Sequence, residues 1–338
     1  MSEVLSTLYH QHDIRLVILA AFICALSSFA GVSILTHARR AVGVVRTVWL
    51  AIAAVSVGFG IWATHFIAML SFDVGFPAGY DVGLTLASLL IAIAVCGAGL
   101  VVAGMSRRRS DLILGGAIVG LGISAMHYTG MRALEIGGEI SWDPGLVAGS
   151  VISGMVLGAA ALRIGVSRNP RVRVFGAGLL TLAICSMHFT AMGAAGFANC
   201  YAIATSGEIS PGVLSLIVGV VSILILLAAL GSLYLDLRDR RRAAAEESRM
   251  RGLADAAVEG LVVCSDRTVV TVNAAFQRLA GRKGKDLSGR AIDEFLAPTG
   301  CLAIFENANE LIETELTALD CERIPVEVVM REVDFGGS

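Results

Sequence analysis

Charged residues are scarce in this chain of 338 residues, and lysine is almost absent. Asp, Glu, Lys and Arg make up 16% of the sequence, whereas they form about 25% of an average soluble domain. The only lysines are Lys283 and Lys285, both in the last third, where polar residues return. With 56% hydrophobic residues, the composition argues against a wholly water-soluble protein and predicts a membrane region followed by a polar domain.

A strong net charge and a disulfide framework are missing as well. The formal net charge of -2 is too small to indicate nucleic acid as a partner. Seven cysteines are present, but they are divided between apolar segments and the polar domain, and only Cys200 lies in a predicted outer loop. This distribution does not predict intramolecular disulfides.

Seven apolar stretches each approach the roughly 20 residues that a helix needs to cross a bilayer. They cover residues 14–36, 44–70, 82–105, 112–134, 146–166, 172–197 and 212–235. The first stretch is too long for the apolar part of a cleavable signal peptide. The sequence therefore predicts an all-α bundle of seven transmembrane helices.

Arginines mark every second loop between these stretches. They are Arg39, Arg40, Arg46, Arg107 to Arg109, Arg163, Arg168, Arg171, Arg173, Arg238 and Arg240 to Arg242. The alternate loops carry acidic residues and almost no Arg or Lys. Because positively charged loops stay on the cytoplasmic side, we expect the N-terminus outside the plasma membrane and the C-terminus in the cytoplasm.

Three of the seven stretches contain related strings centred on a histidine. The strings are IWATHFIAML (residues 61–70), ISAMHYTGMRAL (123–134) and ICSMHFTAMGAA (184–195). The histidines, His65, His127 and His188, are 62 and 61 residues apart, which is the length of one helical hairpin. The bundle is therefore predicted to contain three two-helix repeats plus one helix, with the three histidines at one depth near the outer face.

A methionine follows each histidine by four positions, which places the two side chains on one face of a helix. The pairs are His65 and Met69, His127 and Met131, and His188 and Met192; Met126 and Met187, which directly precede two of the histidines, are secondary candidates. Imidazole and thioether together suit a soft or borderline metal ion, and copper above all. Zinc is less favoured, and haem held by His and Met is a further alternative.

A purely structural interpretation of this motif also exists. A histidine can simply hydrogen-bond between membrane helices, and methionine commonly fills apolar gaps. Three copies at equal depth favour a ligand role, because polar groups inside a membrane are costly and usually functional. We expect the other histidines, His10, His12 and His37, to lie in solvated loops.

The chain becomes polar after Leu235. Residues 237–250 are rich in Ala, Glu and Arg, which favours a helical linker that continues the last span. Segments that alternate like paired strands follow at residues 261–265, 269–272, 314–320 and 324–332. A smaller α+β domain over residues 251–338 is therefore predicted, with a turn at Asp266 and Arg267 in its first strand pair.

Residues 10–236 resemble the bacterial MHYT domain, which is named for the tetrapeptide found here at residues 126–129. Related strings are MHFT at residues 187–190 and THFI at residues 64–67, where Thr64 departs from the pattern by replacing methionine. The resemblance implies a plasma-membrane sensory module that binds copper through the His and Met residues. It also implies detection of a diatomic gas, namely oxygen, carbon monoxide or nitric oxide.

Residues 251–338 are similar to a PAS domain, a resemblance carried by GLVVCSDRTVVTVNAAFQRLAGRKGKDLSGR (260–290) with Asn273 and Gly289 at recognisable positions. No histidine follows His188, and no cysteine lies in the context of a flavin photoadduct. The expected role is therefore a relay without haem or flavin. Because the chain ends at Ser338 before the expected final strand, we expect this domain to be incomplete.

In proteins of similar layout the output is commonly cyclic-di-GMP turnover or a histidine kinase, but no GGDEF, EAL or kinase motif occurs here. We therefore expect no catalytic residues in this chain. The leading hypothesis is a homodimeric membrane sensor of copper or a diatomic gas that signals to a downstream output domain or protein. The alternatives are a copper-handling or transport protein and a simple membrane anchor.

Overall fold

The computed structural model of the protein describes residues 13–73, 78–105, 108–167, 169–197, 200–201, 209–297, 304–305, 307–318 and 322–332. His10, His12, Arg107 and Arg168 lie outside these residues. The chain forms two compact units, Met1–Asp236 and Leu237–Ser338. Each unit is described below by itself.

The first unit is built from long apolar helices, as the sequence predicts. They are α1 (Ile14–Arg40), α2 (Gly43–Ser71), α3 (Val82–Met105), α4 (Arg109–Arg132), α5 (Pro144–Gly165), α6 (Pro170–Ala194) and α7 (Pro211–Ala256). In the described part of the chain, these seven helices are long and apolar enough to cross a membrane. The protein is therefore a multi-pass membrane protein, and the predicted bundle is confirmed.

Local sequence signals define where several helices begin. The Asp143 side chain accepts a hydrogen bond from the Leu146 amide at 2.8 Å, and Pro144 follows it at the first helical position of α5. Asn169 and Pro170 begin α6 in the same way. A side-chain acceptor at the cap satisfies an otherwise unpaired helix amide, and proline is tolerated in the first turn.

Helices α1 to α6 form a closed ring in which each helix packs against the next and α6 packs against α1. Glycines permit a close approach between α4 and α5. A Cβ atom on Gly116 would lie 2.3 Å from the Gly158 carbonyl oxygen, and one on Gly120 would lie 2.3 Å from the Gly154 carbonyl oxygen. Such small residues allow helix backbones to come together in a membrane, where van der Waals contact drives association.

Helix α7 contacts the ring along a single narrow stripe. Its buried residues recur every three or four positions and are Leu214, Val218, Val221, Ile225, Ala229, Ser232 and Asp236. The intervening leucines and isoleucines are exposed, as expected for side chains that face lipid. Without a break, α7 continues past Asp236 to Ala256.

Short antiparallel strand pairs connect the ends of the helices that carry the histidine motif. Strand β1 (Gly79–Tyr80) pairs with β2 (Leu134–Glu135), and β3 (Ser141–Trp142) pairs with β4 (Ala195–Gly196). Isolated β-bridges also pair Tyr80 with Ile209 and Gly137 with Tyr201. These pairs join the ends of α2, α4 and α6 on one side of the bundle.

The second unit is the small α+β domain that the sequence predicts. Its elements are the hairpin β5 (Val262–Ser265) and β6 (Thr268–Val272), the helices α8 (Ala274–Ala280) and α9 (Gly284–Leu287), a 3-10 turn (Ile292–Glu294), and the hairpin β7 (Leu311–Thr317) and β8 (Arg323–Val329). Asp266 and Arg267 have φ values of 46° and 65°, which is the geometry of a tight hairpin turn. Strand β7 begins at Leu311, three residues before the predicted segment.

Asn273 joins three parts of the second unit. Its side-chain oxygen accepts hydrogen bonds from the amides of Leu261 and Phe276 at 2.8 and 2.9 Å. Its amide group donates to the carbonyl oxygens of Ala254 and Glu259 at 2.8 and 2.9 Å. The last turn of α7 is thereby bonded to the residue that begins α8.

The expectation for His37 was wrong. Helix α1 continues past the apolar stretch to Arg40 and includes His37, whose side chain is only 11% exposed and lies 3.1 Å from Asp236. The helix therefore runs four residues beyond the apolar stretch, and His37 has a polar neighbour inside the bundle.

The close contact of α4 and α5 gives a first testable prediction. Replacing Gly120 by Ala would place a methyl group against the backbone of Gly154, so we expect a loss of about 1–3 kcal/mol of stability through overpacking. Gly149→Ala on α5 is the matched control, because nothing lies within 4 Å of its Cβ position. Thermal unfolding in detergent, followed by circular dichroism, should show a lower midpoint for Gly120→Ala alone. Equal midpoints would contradict the packing described here.

Candidate metal centre

His65, His127 and His188 meet at one point between α2, α4 and α6. The histidines lie six, five and six residues before the ends of their helices, which is about 8–9 Å along the axis. Their exposed fractions are 2%, 0% and 5%. The equal spacing of the three repeats therefore results in one buried imidazole cluster, as predicted from the sequence.

The three Nδ1 atoms form a nearly equilateral triangle. The distance from His65 to His127 is 3.2 Å, from His127 to His188 3.2 Å, and from His65 to His188 3.4 Å. The centre of such a triangle lies about 1.9 Å from each corner, since that distance is the side divided by √3. Metal–imidazole bonds measure about 2.0–2.1 Å. The cluster could therefore hold a metal ion.

Hydrogen bonding alone cannot satisfy all three contacts. A ring nitrogen of neutral histidine is either a donor or an acceptor, so among three mutually facing Nδ1 atoms at least one pair has two donors or two acceptors. The opposite ring nitrogens, Nε2 of His65 and His127, have no hydrogen-bond partner among the described residues. A cation at the centre would satisfy all three Nδ1 lone pairs at once.

The rings stand nearly perpendicular to one another and to the aromatic residue that follows each histidine. The interplanar angles between the imidazoles are 75°, 82° and 90°. Phe66, Tyr128 and Phe189 each contact their neighbouring imidazole edge to face. Tyr128 is fixed by a hydrogen bond of 2.7 Å between its hydroxyl group and Ser150. Packing on every side therefore restricts the orientation of the imidazoles.

A small cavity lies beside the imidazoles, with space for about one water-sized molecule. The same three positions of every repeat line it. They are the histidine itself, the residue before it and the residue four before it: His65, Thr64 and Ile61; His127, Met126 and Ile123; His188, Met187 and Ile184. Apart from the histidines and Thr64, the lining is apolar, so a small ligand would be held away from water.

The structure separates the two sets of candidate methionines. Met126 and Met187 line the cavity, whereas Met69, Met131 and Met192 are buried in the same core but are not among the lining residues. Cys185, one turn before His188, is also absent from the lining. The cavity therefore presents two thioethers, both from the secondary candidates.

The strand pairs cover this end of the bundle with aromatic side chains. Tyr80 of β1 contacts Phe66 at 5.6 Å, Trp142 of β3 contacts Tyr128 at 5.3 Å, and Phe72 contacts Phe197 at 5.3 Å between ring centroids. Burial raises the pKa of Tyr80 to about 12, because ionisation is disfavoured away from water. Tyr80 is therefore neutral at physiological pH, and the cover over the imidazoles stays apolar.

Sequence reasoning missed two features of this site. The first feature is the set of isoleucines four residues before each histidine, Ile61, Ile123 and Ile184. Their recurrence at the same position of all three repeats could have indicated that they share a place in the site. Gly130 is the second feature, because a Cβ at this position would lie 2.5 Å from Nε2 of His65. The other two repeats have alanine at this position, Ala68 and Ala191. The glycine in the second repeat was therefore a difference in the sequence that could have indicated a close contact.

Comparison with known families agrees with this architecture. The chain matches the MHYT family, described as a bacterial signalling protein N-terminal repeat, at residues 58–116, 120–178 and 182–245. Residues 248–312 match a PAS domain family. Each MHYT match contains one of the three histidines. No solved structure shows a significant match.

Several bacterial signalling proteins are similar to this chain. A signalling protein of Caulobacter vibrioides is 36% identical over 99% of this chain. The bifunctional diguanylate cyclase/cyclic di-GMP phosphodiesterase MucR of Pseudomonas aeruginosa is 35% identical over 66% of it, and the cyclic di-GMP phosphodiesterase NbdA of the same organism is 35% identical over 53%. The aligned regions span 41%, 34% and 24% of these relatives' own lengths.

Gly130 gives a prediction that is specific to the site. A methyl group in Gly130→Ala would displace the His65 ring, so we expect the affinity of the chain for Cu(I) to fall by at least about tenfold, because one of three converging nitrogens moves. Gly178→Ala on α6 is the control, since nothing lies within 4 Å of its Cβ position. Competition with a chromophoric Cu(I) chelator measures both affinities. Unchanged affinity in Gly130→Ala would contradict the described placement of His65.

Proposed function

The chain belongs to the MHYT family of bacterial signalling proteins, and we propose that it is a membrane sensor that detects copper or a diatomic gas at its three-histidine centre. The observation that carries this proposal is the convergence of three Nδ1 atoms within 3.4 Å of one another. Three imidazole nitrogens held this close are arranged for a cation. Bound copper would supply a one-electron redox couple and a coordination position for a small ligand.

Copper is the metal that the donor set favours. His65, His127 and His188 provide borderline nitrogen ligands, and Met126 and Met187 provide soft thioethers beside them. Imidazoles suit both copper and zinc, but thioethers select Cu(I) and are poor ligands for zinc. The apolar walls of the cavity, with room for about one water-sized molecule, suit oxygen, carbon monoxide or nitric oxide.

We place the protein in the bacterial plasma membrane with its N-terminus outside and its C-terminus in the cytoplasm. The support is the arginine content of the loops at the end opposite the histidines. At that end Arg39 donates to the carbonyl oxygen of Ala103, and Arg46 donates to those of Ala41 and Met105 at 2.8 and 3.4 Å. These side chains cap helix ends that face the cytoplasm in this orientation, and the histidine centre then lies near the outer face.

The signal would pass through α7 to the PAS domain. Helix α7 is continuous from Pro211 to Ala256, and its last turn is bonded to Asn273 of the PAS region. The names of MucR and NbdA refer to cyclic-di-GMP turnover. We propose that this chain relays its signal, as a homodimer in the membrane, to an output of that kind in another domain or protein, and that its own residues are not catalytic.

A copper-handling or transport function is the second candidate, because soft ligands inside a membrane also suit ion passage. The PAS region disfavours it, since transport does not require a signalling domain. Uptake of copper into vesicles that contain the purified chain distinguishes the two. A sensor accumulates no more copper inside the vesicles than empty vesicles do.

The ligand role of the histidines is tested by their removal. We expect the wild-type chain, loaded with Cu(I) and desalted, to retain about one copper ion, and His65→Ala/His127→Ala/His188→Ala to retain almost none, because imidazole supplies the converging donors. The control is His37→Ala, which removes a histidine at the opposite end of the bundle, beside Asp236, and leaves the three converging imidazoles in place. Mass spectrometric metal analysis measures all three proteins. Equal copper content in wild type and the triple histidine variant would reject the ligand role.

The two sets of methionines can be separated in the same assay. We expect Met126→Leu/Met187→Leu to lower Cu(I) affinity by at least about tenfold, while Met69→Leu/Met131→Leu/Met192→Leu stays within about threefold of wild type. Leucine conserves the volume of methionine, so packing changes little. The opposite ranking would show that the ligands are the methionines four positions after the histidines, as the sequence spacing predicts.

A further inference from the structure

A second buried polar cluster lies at the end of the bundle opposite the histidine centre. Asp236 of α7 forms an ion pair with Arg173 of α6, and its other carboxylate oxygen lies 3.1 Å from Nε2 of His37 on α1. The His37 ring stacks on Trp49 of α2 with centroids 5.7 Å apart and an angle of 30°. We call His37, Arg173 and Asp236 the Asp236 cluster.

The cluster is buried to a degree that is unusual for ionic groups. The side chains of Arg173 and Asp236 are 5% and 8% exposed, and that of His37 is 11% exposed. Removing such charges from water costs several kcal/mol per ion, and the attraction between them offsets this cost only with good geometry and further hydrogen bonds. A stable fold does not require it, because apolar residues of similar volume commonly stabilise a protein as well. The cluster is therefore a candidate for a role besides stability.

Its position on α7 suggests what that role is. Asp236 is the last residue of the buried stripe on α7, one turn after the buried Ser232, and it is also the last residue of the bundle unit. The residues of α7 before it are held by non-directional apolar contacts. Asp236 contacts two other helices where the buried stripe ends: it is ion-paired with Arg173 of α6, and its carboxylate lies 3.1 Å from Nε2 of His37 on α1.

Helix α6 connects the two polar centres directly. It carries Arg173 near its beginning and His188 near its end, fifteen residues apart by number, or about 22 Å along the axis. A helix moves largely as a rigid element, and shifts of about 1–2 Å between packed helices are typical of switching proteins. A displacement of His188 would therefore also displace Arg173.

We propose that the Asp236 cluster is the coupling site between the membrane bundle and the linker helix. The ion pair from α6 and the close contact from α1 to a single carboxylate fix both the rotation and the depth of α7, so that movement of α6 is transmitted to residues 237–256. Apolar packing alone would not do so, because it is non-directional and permits rotation and sliding. The proposal does not depend on which ligand binds at the histidine centre.

Hydrogen exchange of the full chain in lipid nanodiscs tests this inference. We expect Asp236→Asn to accelerate exchange of α7 amides between residues 232 and 245 by at least about tenfold, since a broken buried pair loosens the helix. Asp239→Asn is the matched control, with the same chemical change at an exposed position three residues later. It should change the exchange rates of these amides by less than about twofold.

A double variant separates coupling from simple stabilisation. In Arg173→Met/Asp236→Leu both charges are replaced by apolar side chains, so we expect the thermal midpoint to return to within a few degrees of wild type. If the cluster fixes the rotation and depth of α7, exchange in residues 232–245 stays fast in this variant. Restoration of both the midpoint and the slow exchange would reject the proposal, as would wild-type exchange in Asp236→Asn. Should Asp236→Asn not fold, the double variant alone decides.

Discussion

Three imidazoles meet at one point inside an apolar bundle, and the rest of the membrane unit depends on that constraint. Each histidine must reach the axis at the same depth, which is possible because three helical hairpins repeat with almost equal length. Their nitrogens cannot all be satisfied by one another, and the isoleucines and the aromatic cover surround them with apolar side chains. A buried polar cluster of this kind is costly unless something binds it, which is the physical basis for the proposed metal site.

Two buried clusters of titratable side chains lie at opposite ends of α6, which carries His188 near its end and Arg173 near its beginning. The chain therefore has a cluster of three imidazoles at one end of the bundle and an ion cluster at the other, joined by one continuous helix. Such an arrangement provides a physical route from a binding event to the linker, because both clusters restrain the same helix.

Much of this organisation could be predicted from the sequence, and the exceptions have physical reasons. Hydropathy predicted the seven helices, and the threefold repeat predicted the common depth of His65, His127 and His188. They could not show which methionines face the axis. On a helix with about 100° per residue, the position four after the histidine is rotated by about +40°, and the positions one and four before it by about -100° and -40°. Which side of a helix faces inward depends on how that helix is rotated, and contacts between helices, such as Gly116 with Gly158, help to set this rotation.

His37 was wrongly predicted to lie in a solvated loop, because its neighbour in the fold, Asp236, is 199 positions away in the sequence.

We propose that the three histidines bind one copper ion through their Nδ1 atoms. X-ray absorption at the copper edge of the loaded chain in nanodiscs tests this binding mode, because the method reports the atoms bound to the metal and their distances. We expect a coordination shell dominated by three nitrogens at about 2.0 Å, and a weaker nitrogen contribution when the histidines are replaced. A shell composed mainly of sulfur at about 2.3 Å, or a spectrum that is unchanged in the histidine variant, would contradict it.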